Sequence, residues 1–110
     1  MRNETRGTLL GDAVTVADTR RERNVGLLKH AGLKEGEGLW IVPCLSVHTF
    51  FMKFAIDLVF IDKQRRVRKV RHAVLPWRIA GCLWAHSVLE LPPGTVAKTA
   101  TQPGDQLVIE

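Results

Sequence analysis

The segment from Pro43 to Asp62, which reads PCLSVHTFFMKFAIDLVFID, constrains the fold more than any other part of the chain. It is the most apolar stretch of the sequence, yet it contains a thiol, an imidazole and a carboxylate, on Cys44, His48 and Asp57. A polar group buried without a partner costs about 1–3 kcal/mol, and a charged group costs more. These three side chains must therefore either belong to a fixed polar network or line a site.

Length and composition indicate one globular domain over residues 1–110. A chain of 110 residues can bury one hydrophobic core but is too short for two. Its apolar fraction of 45% and its charged fraction of 25% are typical of globular proteins. No apolar run approaches the roughly 20 residues that cross a bilayer, and the N-terminus MRNETRGTLLGD lacks the long apolar core of a secretory signal. We expect a cytoplasmic protein with no membrane segment, unless a signal precedes this chain.

The net charge of +5 raises the question of a nucleic-acid partner. Basic residues cluster at 20–23 and again at 63–71. The sequence contains no RNA-recognition aromatic motif, zinc finger or helix-turn-helix spacing. A solvated basic face is therefore the favoured interpretation, and association with nucleic acid through the 63–71 cluster is the alternative.

The sequence predicts one main helix at about residues 20–30. Thr19 and Glu22 have the T-x-x-E spacing of a capping box, in which each side chain accepts a hydrogen bond from the other residue's backbone amide. His30 suits the negative end of the helix dipole, and Gly32 can take the left-handed conformation that ends a helix. A second, short helical turn is predicted near residues 95–100, where Thr95 can act as a cap.

Hydrophobic patterning predicts the strands. The segment Ala55–Ile61 is apolar at both alternate positions, which indicates a strand covered on both faces. A polar turn at 62–65 predicts an antiparallel hairpin of Ile56–Ile61 with Val67–Val74. Further strands are predicted at Leu9–Ala17, Leu39–Val42, Val47–Met52, Leu83–Leu91 and Gln106–Ile109. The predicted fold class is α+β, a single compact domain of mainly antiparallel sheet or a partly closed β-barrel, with the helix over one face or opening.

The C-x3-H pair of Cys44 and His48 is the first candidate site. A thiolate and an imidazole can bind a metal or activate a nucleophile, but both uses require further groups. A disulfide scaffold usually has more than the two cysteines present here, so we expect Cys44 and Cys82 to be reduced and buried. The favoured interpretation makes Cys44 a core residue, and no metal or cofactor is predicted.

Asp57 and Glu90 are acidic residues in otherwise apolar segments. We expect Asp57 to be buried in a structural ion pair with Arg23 of the predicted helix, which would fix the helix to the sheet. A functional carboxylate with a shifted pKa is the competing interpretation of Asp57. Glu90 lies shortly before two prolines, and it would be either a carboxylate at the rim of a pocket or a cap for a loop amide.

Trp77 is a large aromatic residue in a predicted loop, between Pro76 and Arg78. Packing does not require a ring of this size in a loop. It would therefore either plug the end of a barrel, which is slightly favoured, or act as an exposed contact for a ligand or partner.

The order of the motifs resembles that of a known family. A strand ending in VADT is followed by R-x-x-G-L, a GLW strand, HTFFM-x-F-x-IDLVFID, VLELP-x-G and a terminal GD-x-L. Over residues 13–108 the chain resembles a prokaryotic family of small proteins known as domain of unknown function 192. The resemblance implies a compact, largely β fold with no established activity. Many relatives look exported, whereas this chain reads as cytoplasmic, and relatives often have Trp-Met-Lys-Asn where this chain has FMKF at 51–54.

Three functions are compatible with these features. The favoured one is a small non-catalytic binding or interaction module for an unknown small molecule or protein. Its pocket or rim would lie around residues 43–62 and would involve Cys44, His48, Asp57, Trp77 and Glu90. The first alternative is a metal-dependent or thiol-based enzyme that uses Cys44 and His48, and the second is the nucleic-acid association described above. The binding module is favoured because no complete catalytic set can be read from the sequence.

Overall fold

The structure, a computed structural model, describes residues 1–27 and 30–109. Ten strands and two short helices are present in these residues. The strands are β1 (Arg2–Asn3), β2 (Thr8–Leu9), β3 (Ala13–Ala17), β4 (Glu37–Ile41), β5 (Ser46–His48), β6 (Ile56–Ile61), β7 (Val67–Val74), β8 (Ile79–Gly81), β9 (Ser87–Leu91) and β10 (Leu107–Val108). The helices are α1 (Arg20–Val25) and α2 (Thr95–Lys98), and neither is long and apolar enough to span a membrane.

A mixed sheet of five strands, in the order β3-β4-β9-β6-β7, forms the centre of the fold. β3 and β4 are parallel, and all other neighbours in this sheet are antiparallel. Strands β10-β1-β2 form a second sheet, and β5-β8 form a third. The α+β class with mainly antiparallel pairing is confirmed. The partly closed barrel is wrong, because over the described residues the central sheet is open, with β3 and β7 at its edges.

Burial of β6 and β9 on both faces creates the core. Every residue of these two strands is buried. Leu58 and Val88 contact one apolar layer, and Val59 and Leu89 contact another. The predicted strand covered on both faces is therefore confirmed. The predicted hairpin of β6 with β7 is also confirmed, and Asp62 closes its turn by accepting hydrogen bonds from the amides of Gln64 and Arg66 at 2.9 and 3.0 Å.

Helix α1 begins as predicted and ends early. The Glu22 amide donates to the Thr19 hydroxyl at 3.1 Å, and the Thr19 amide donates to the Glu22 carboxylate at 3.2 Å, which completes the capping box. Gly26 ends the helix with a φ of 49°, a left-handed value that favours glycine. The prediction of a helix to residue 30 is therefore wrong, since His30 lies beyond the helix. Positions 28 and 29 of the predicted helix lie outside the described residues.

Several predicted strands are shorter in the structure because the chain turns inside them. The predicted strand Leu9–Ala17 is divided into β2 and β3. The chain turns between them at residues 10 and 11, whose amides both donate to the carbonyl of Met1. The predicted strand Leu83–Leu91 begins only at Ser87, since Leu83 and Trp84 lie in an exposed turn. Val47–Met52 is reduced to β5, and Gln106–Ile109 is reduced to β10. The turn predicted near 95–100 is present as α2.

Thr49 holds the turn that follows β5. This buried residue donates its hydroxyl to the carbonyl of Leu75 at 2.7 Å and accepts the amide of Arg78 at 2.8 Å. Its own amide donates to the carbonyl of Arg78, and its carbonyl accepts the amide of Trp77. The segment after His48 is thereby fixed against residues 75–78 instead of continuing as a strand.

We expect Thr49→Val to destabilise the protein by about 1–3 kcal/mol, because the isosteric side chain removes a buried hydroxyl that bonds the partly buried carbonyl of Leu75 and amide of Arg78. Urea unfolding of the variant and the wild type measures the difference. A free energy of unfolding within about 0.5 kcal/mol of the wild type would show that the hydroxyl is not needed to hold this turn.

Candidate functional site

Glu90 is the centre of the candidate site. It lies in β9 opposite Leu39 of β4 and Leu58 of β6, so its side chain is on the sheet face covered by the first apolar layer. The residue is only 4% exposed, and its Oε1 has no hydrogen-bond partner. Almost all buried polar atoms in proteins have a partner, and an exception requires a specific explanation.

A cavity of about 390 Å³ is lined by Glu90. Its walls come from α1 and its C-terminal cap, from β4, from the segment between Pro43 and Met52, and from β9. The lining brings together three residues singled out in the sequence, Cys44, His48 and Glu90. The remaining walls are mainly apolar, with Ile41 among them.

Burial raises the pKa of Glu90 from its usual 4.5 to about 7. The folded state therefore prefers the protonated carboxyl group, whereas the unfolded chain ionises at lower pH. The contribution of Glu90 to the free energy of unfolding is therefore fully favourable below the pKa that the residue has in the unfolded chain. It is lost as the pH rises towards 7. Above pH 7 the difference amounts to roughly 3 kcal/mol. Glu90 thus destabilises the fold at neutral pH.

Cys44 does not have the environment of a reactive thiol. Its side chain is half-buried, and Sγ lies 3.0 Å from the carbonyl oxygen of Ser46, to which it donates. Burial raises the pKa of the Cys44 thiol, and the nearby negative charge of Glu90 raises it further, whereas the Ser46 contact and the charge of Arg23 oppose this rise. A nucleophilic cysteine requires the opposite shift, because the thiolate is the reactive form.

Arg23 lines the same cavity but forms no ion pair with an acidic side chain of the described chain. Its Nη1 donates to the carbonyl of Asp18 at 2.8 Å and to the carbonyl of Val42 at 3.4 Å. The predicted ion pair of Arg23 with Asp57 is therefore not formed. Arg23 instead connects the last turn of α1 to the end of β4.

Asp57 is buried as predicted, but its partners are backbone amides. Oδ1 accepts the amide of Ala73 at 2.8 Å, and Oδ2 accepts the amides of Gly94 and Val96 at 3.1 and 2.9 Å. It lies opposite Leu91 in the β6–β9 pairing, on the sheet face opposite to that of Glu90. The N-cap residue of α2 is Gly94, which has no side chain to accept hydrogen bonds from the first amides of the helix. The carboxylate of Asp57 supplies this acceptor instead. It does not belong to the cavity.

Trp77 belongs to a cluster of aromatic rings that we call the aromatic rim, formed by His48, Phe50, Phe51 and Trp77. Ring centroids are 5.0 Å apart for His48 and Phe50, 5.6 Å for Phe50 and Trp77, and 4.6 Å for Phe51 and Trp77. Phe51 is 71% exposed and Trp77 is 55% exposed, and both have a φ of 66°. Trp77 therefore does not plug a barrel. Backbone strain of this kind concentrates at functional sites, and His48 joins the rim to the cavity.

No group of three or more His, Cys, Asp or Glu side chains in residues 1–27 and 30–109 is arranged to hold a metal ion. Cys44, His48 and Glu90 line one cavity without converging on one point.

The 63–71 basic cluster lies largely in intramolecular contacts. The Arg65 guanidinium lies 5.9 Å from the centre of the Trp40 ring, and Arg66 donates to the carbonyl of Gly104 at 3.2 Å. Arg68 is 3.8 Å from the Asp62 carboxylate. Lys69 donates to the carbonyl of Gly81 at 2.7 Å. Arg65, Arg66 and Arg68 are exposed while they make these contacts.

Comparison with known proteins identifies the family. Residues 1–109 match the family DUF192, described as an uncharacterised ACR. The chain belongs to the DUF192 family. A UPF0127 protein of Thermococcus sibiricus is 30% identical over 114 residues, which cover 96% of this chain and 71% of the relative. A UPF0127 protein of Thermococcus gammatolerans is 31% identical over 109 residues, which cover 94% of this chain and 70% of the relative.

Solved structures share this fold. A crystal structure of a protein of unknown function from Novosphingobium aromaticivorans has a TM-score of 0.77 and 23% identity, with 84% of this chain and 71% of that chain covered. At this level of identity the likeness shows the fold alone. The family resemblance predicted from the motifs is thus confirmed.

Arg23 and Gly26 line the cavity, whereas the sequence predicted only an ion pair with Asp57 for Arg23 and no site role for Gly26. The sequence signal was the R-x-x-G-L motif, in which Gly26 was predicted inside the helix. Because Gly26 instead ends α1, Arg23 falls in the last helical turn beside the end of β4.

We expect Glu90→Gln to gain stability relative to the wild type as the pH rises. Between pH 4.5 and pH 8 the advantage of the variant should increase by roughly 3 kcal/mol, because only the wild type has a carboxyl group that must ionise while buried. Urea unfolding at both pH values measures this change. A difference between variant and wild type that does not depend on pH would contradict the buried position of the carboxyl group.

We expect Asp57→Asn to destabilise the protein by roughly 3 kcal/mol, because the amide group cannot accept all three backbone hydrogen bonds and hydrogen bonds to a charged acceptor are the stronger ones. Asp12→Asn is the matched control, since Asp12 is exposed. Urea unfolding at pH 7 compares the two variants. Equal stability of both would show that Asp57 does not hold α2 and β7 in place.

Proposed function

We propose that this protein is a small non-catalytic binding module and that a small molecule in the cavity supplies the missing partner of Glu90. The observation that carries the proposal is the buried Oε1 of Glu90, which lines a cavity and has no hydrogen-bond partner. A residue that lowers stability at neutral pH is typical of a site kept for function at the expense of the fold.

The cavity has the size and composition of a small-molecule site. Its volume of about 390 Å³ falls in the range of roughly 300–1,000 Å³ that is common for ligand pockets. Such pockets combine apolar walls with a few polar groups that orient the ligand. Here Ile41 and Met52 represent the apolar walls, and Glu90 is the buried polar group.

The aromatic rim extends the site to the surface. His48 lines the cavity and also contacts the ring of Phe50, which in turn stacks on Trp77. Exposed aromatic rings offer large, rigid contact areas, and they are enriched where proteins bind ligands and partners. A ligand that is longer than the cavity would therefore contact the rim.

A catalytic role has one feature in its favour, because a carboxyl group with a pKa near 7 suits general acid–base catalysis. The described lining, however, provides no activated nucleophile. The Cys44 thiol donates to a backbone carbonyl, and burial raises its pKa. Binding therefore accounts for more of the site than thiol or metal chemistry does.

Screening by thermal unfolding tests the proposal. A library of polar small molecules is tested against the wild type, Glu90→Leu and the matched control Glu4→Gln, which changes an exposed carboxylate. A ligand present at 100 times its Kd stabilises the folded state by about 2.7 kcal/mol, which corresponds to a shift of roughly 10 °C in Tm for a domain of this size.

We expect compounds that raise Tm in the wild type and in Glu4→Gln but not in Glu90→Leu. Hits that act equally on all three proteins, or the lack of any hit that depends on Glu90, would contradict the proposed site.

A further inference from the structure

We infer that the ligand presents a protonated amine to the Glu90 carboxylate. The inference rests on the proposed function, because it names the chemical class of the ligand for the same cavity. Two groups in the wall of one cavity support it. The buried carboxylate of Glu90 has an oxygen without a partner, and the guanidinium of Arg23 is bound to backbone carbonyls.

The buried carboxylate of Glu90 requires a compensating charge when it is ionised. Buried charges in proteins are paired, because an isolated charge in an apolar environment is strongly unfavourable. The neighbours of Glu90 in the sheet, Leu39 and Leu58, are apolar. A neutral hydroxyl group would hydrogen-bond to the carboxylate but would leave its charge uncompensated. A cation would satisfy both the charge and the free acceptor atom.

Arg23 does not provide this cation. Arg23 is the basic residue of the helix that lines the cavity, but it donates to the carbonyls of Asp18 and Val42. No ion pair between Arg23 and Glu90 forms in the described part of the chain. The protein therefore leaves the countercharge of Glu90 to the ligand.

The apolar walls of the cavity indicate the chemistry of the rest of the ligand. Leu27, Ile41 and Met52 contribute apolar surface to the cavity. This surface suits a short aliphatic chain attached to the amine, and a water-poor environment strengthens the contact between ammonium and carboxylate. Two sources share this chemistry. One is a simple aliphatic amine, and the other is an amino acid whose own carboxylate would bind Arg23.

The amine also determines how binding depends on pH. The titratable and charged groups around the cavity are Arg23 from α1, Cys44 and His48 from the segment after β4, and Glu90 from β9. An ammonium ion binds the ionised form of Glu90, so binding below pH 7 must release a proton. Because histidine side chains also change charge between pH 5 and 8, a variant of His48 is needed to assign the effect.

Isothermal titration calorimetry tests the inference with linear primary ammonium ions from ethyl to hexyl. Matched probes are the corresponding n-alcohols, which lack the charge, and L-norvaline, which adds a carboxylate. Each probe is titrated into the wild type, Glu90→Gln and Glu4→Gln at pH 6 and pH 8. Glu90→Gln removes a buried charge and is therefore expected to fold, which a two-dimensional amide NMR spectrum checks.

We expect at least one ammonium ion to bind the wild type about tenfold more tightly at pH 8 than at pH 6, because the apparent affinity follows the ionised fraction of Glu90. Binding should be lost in Glu90→Gln and kept in Glu4→Gln. His48→Asn should show the same ratio of ammonium affinities between pH 8 and pH 6 as the wild type. Tighter binding of L-norvaline than of the ammonium ion of the same chain length would indicate an amino acid, and weaker binding would indicate a simple amine.

Three results would overturn the inference. One is equal binding of an alcohol and its ammonium counterpart, and another is unchanged ammonium binding in Glu90→Gln. The third has two parts. No ammonium ion binds and L-norvaline does not bind, but a neutral or anionic compound from the thermal screen binds in a manner that depends on Glu90. That third result would leave the proposed function intact. Failure of all probes together with a screen that finds no compound dependent on Glu90 would remove the proposed function as well.

Discussion

The insertion of β9 between β4 and β6 is the constraint on which the rest of the structure depends. It buries every residue of β6 and β9 and directs their side chains into two apolar layers. Each of these strands carries one carboxylate, and the two carboxylates lie on opposite faces of the sheet. Asp57 is bound by three backbone amides, whereas Glu90 has an oxygen with no partner. The same degree of burial thus produces one residue that holds the fold together and one that weakens it.

The cavity beside Glu90 is also unfavourable for thiol chemistry. Desolvation raises the pKa of both Glu90 and Cys44, and the negative charge of Glu90 raises the pKa of Cys44 further. Arg23 offsets this only in part, since two backbone carbonyls occupy its Nη1. This environment disfavours a thiolate nucleophile. We therefore favour the proposed recognition of a ligand over covalent catalysis.

The sequence predicted the features that depend on neighbouring residues. The capping box of Thr19 and Glu22, the hairpin of β6 with β7 and the turn at α2 all follow from local patterns, and all are present. It did not predict the parallel pairing of β3 with β4 or the partners of Asp57, because both depend on residues distant in the sequence. Three residues of the cavity, Cys44, His48 and Glu90, were chosen from the sequence for their chemistry. No sequence pattern could separate them from Asp57, which lies on the opposite face of the sheet.

The parallel pairing of β3 with β4 has a consequence for how this site can diversify. Parallel strands require a crossover connection, and here that connection contains α1, whose last turn forms a wall of the cavity. The sheet fixes only the two ends of the connection, at Ala17 and Glu37. Changes of length or sequence between them reshape one wall and leave the strand pairing and Glu90 in place. In the proposed binding site, evolution or engineering can therefore alter which ligand fits without altering the scaffold that holds the carboxylate.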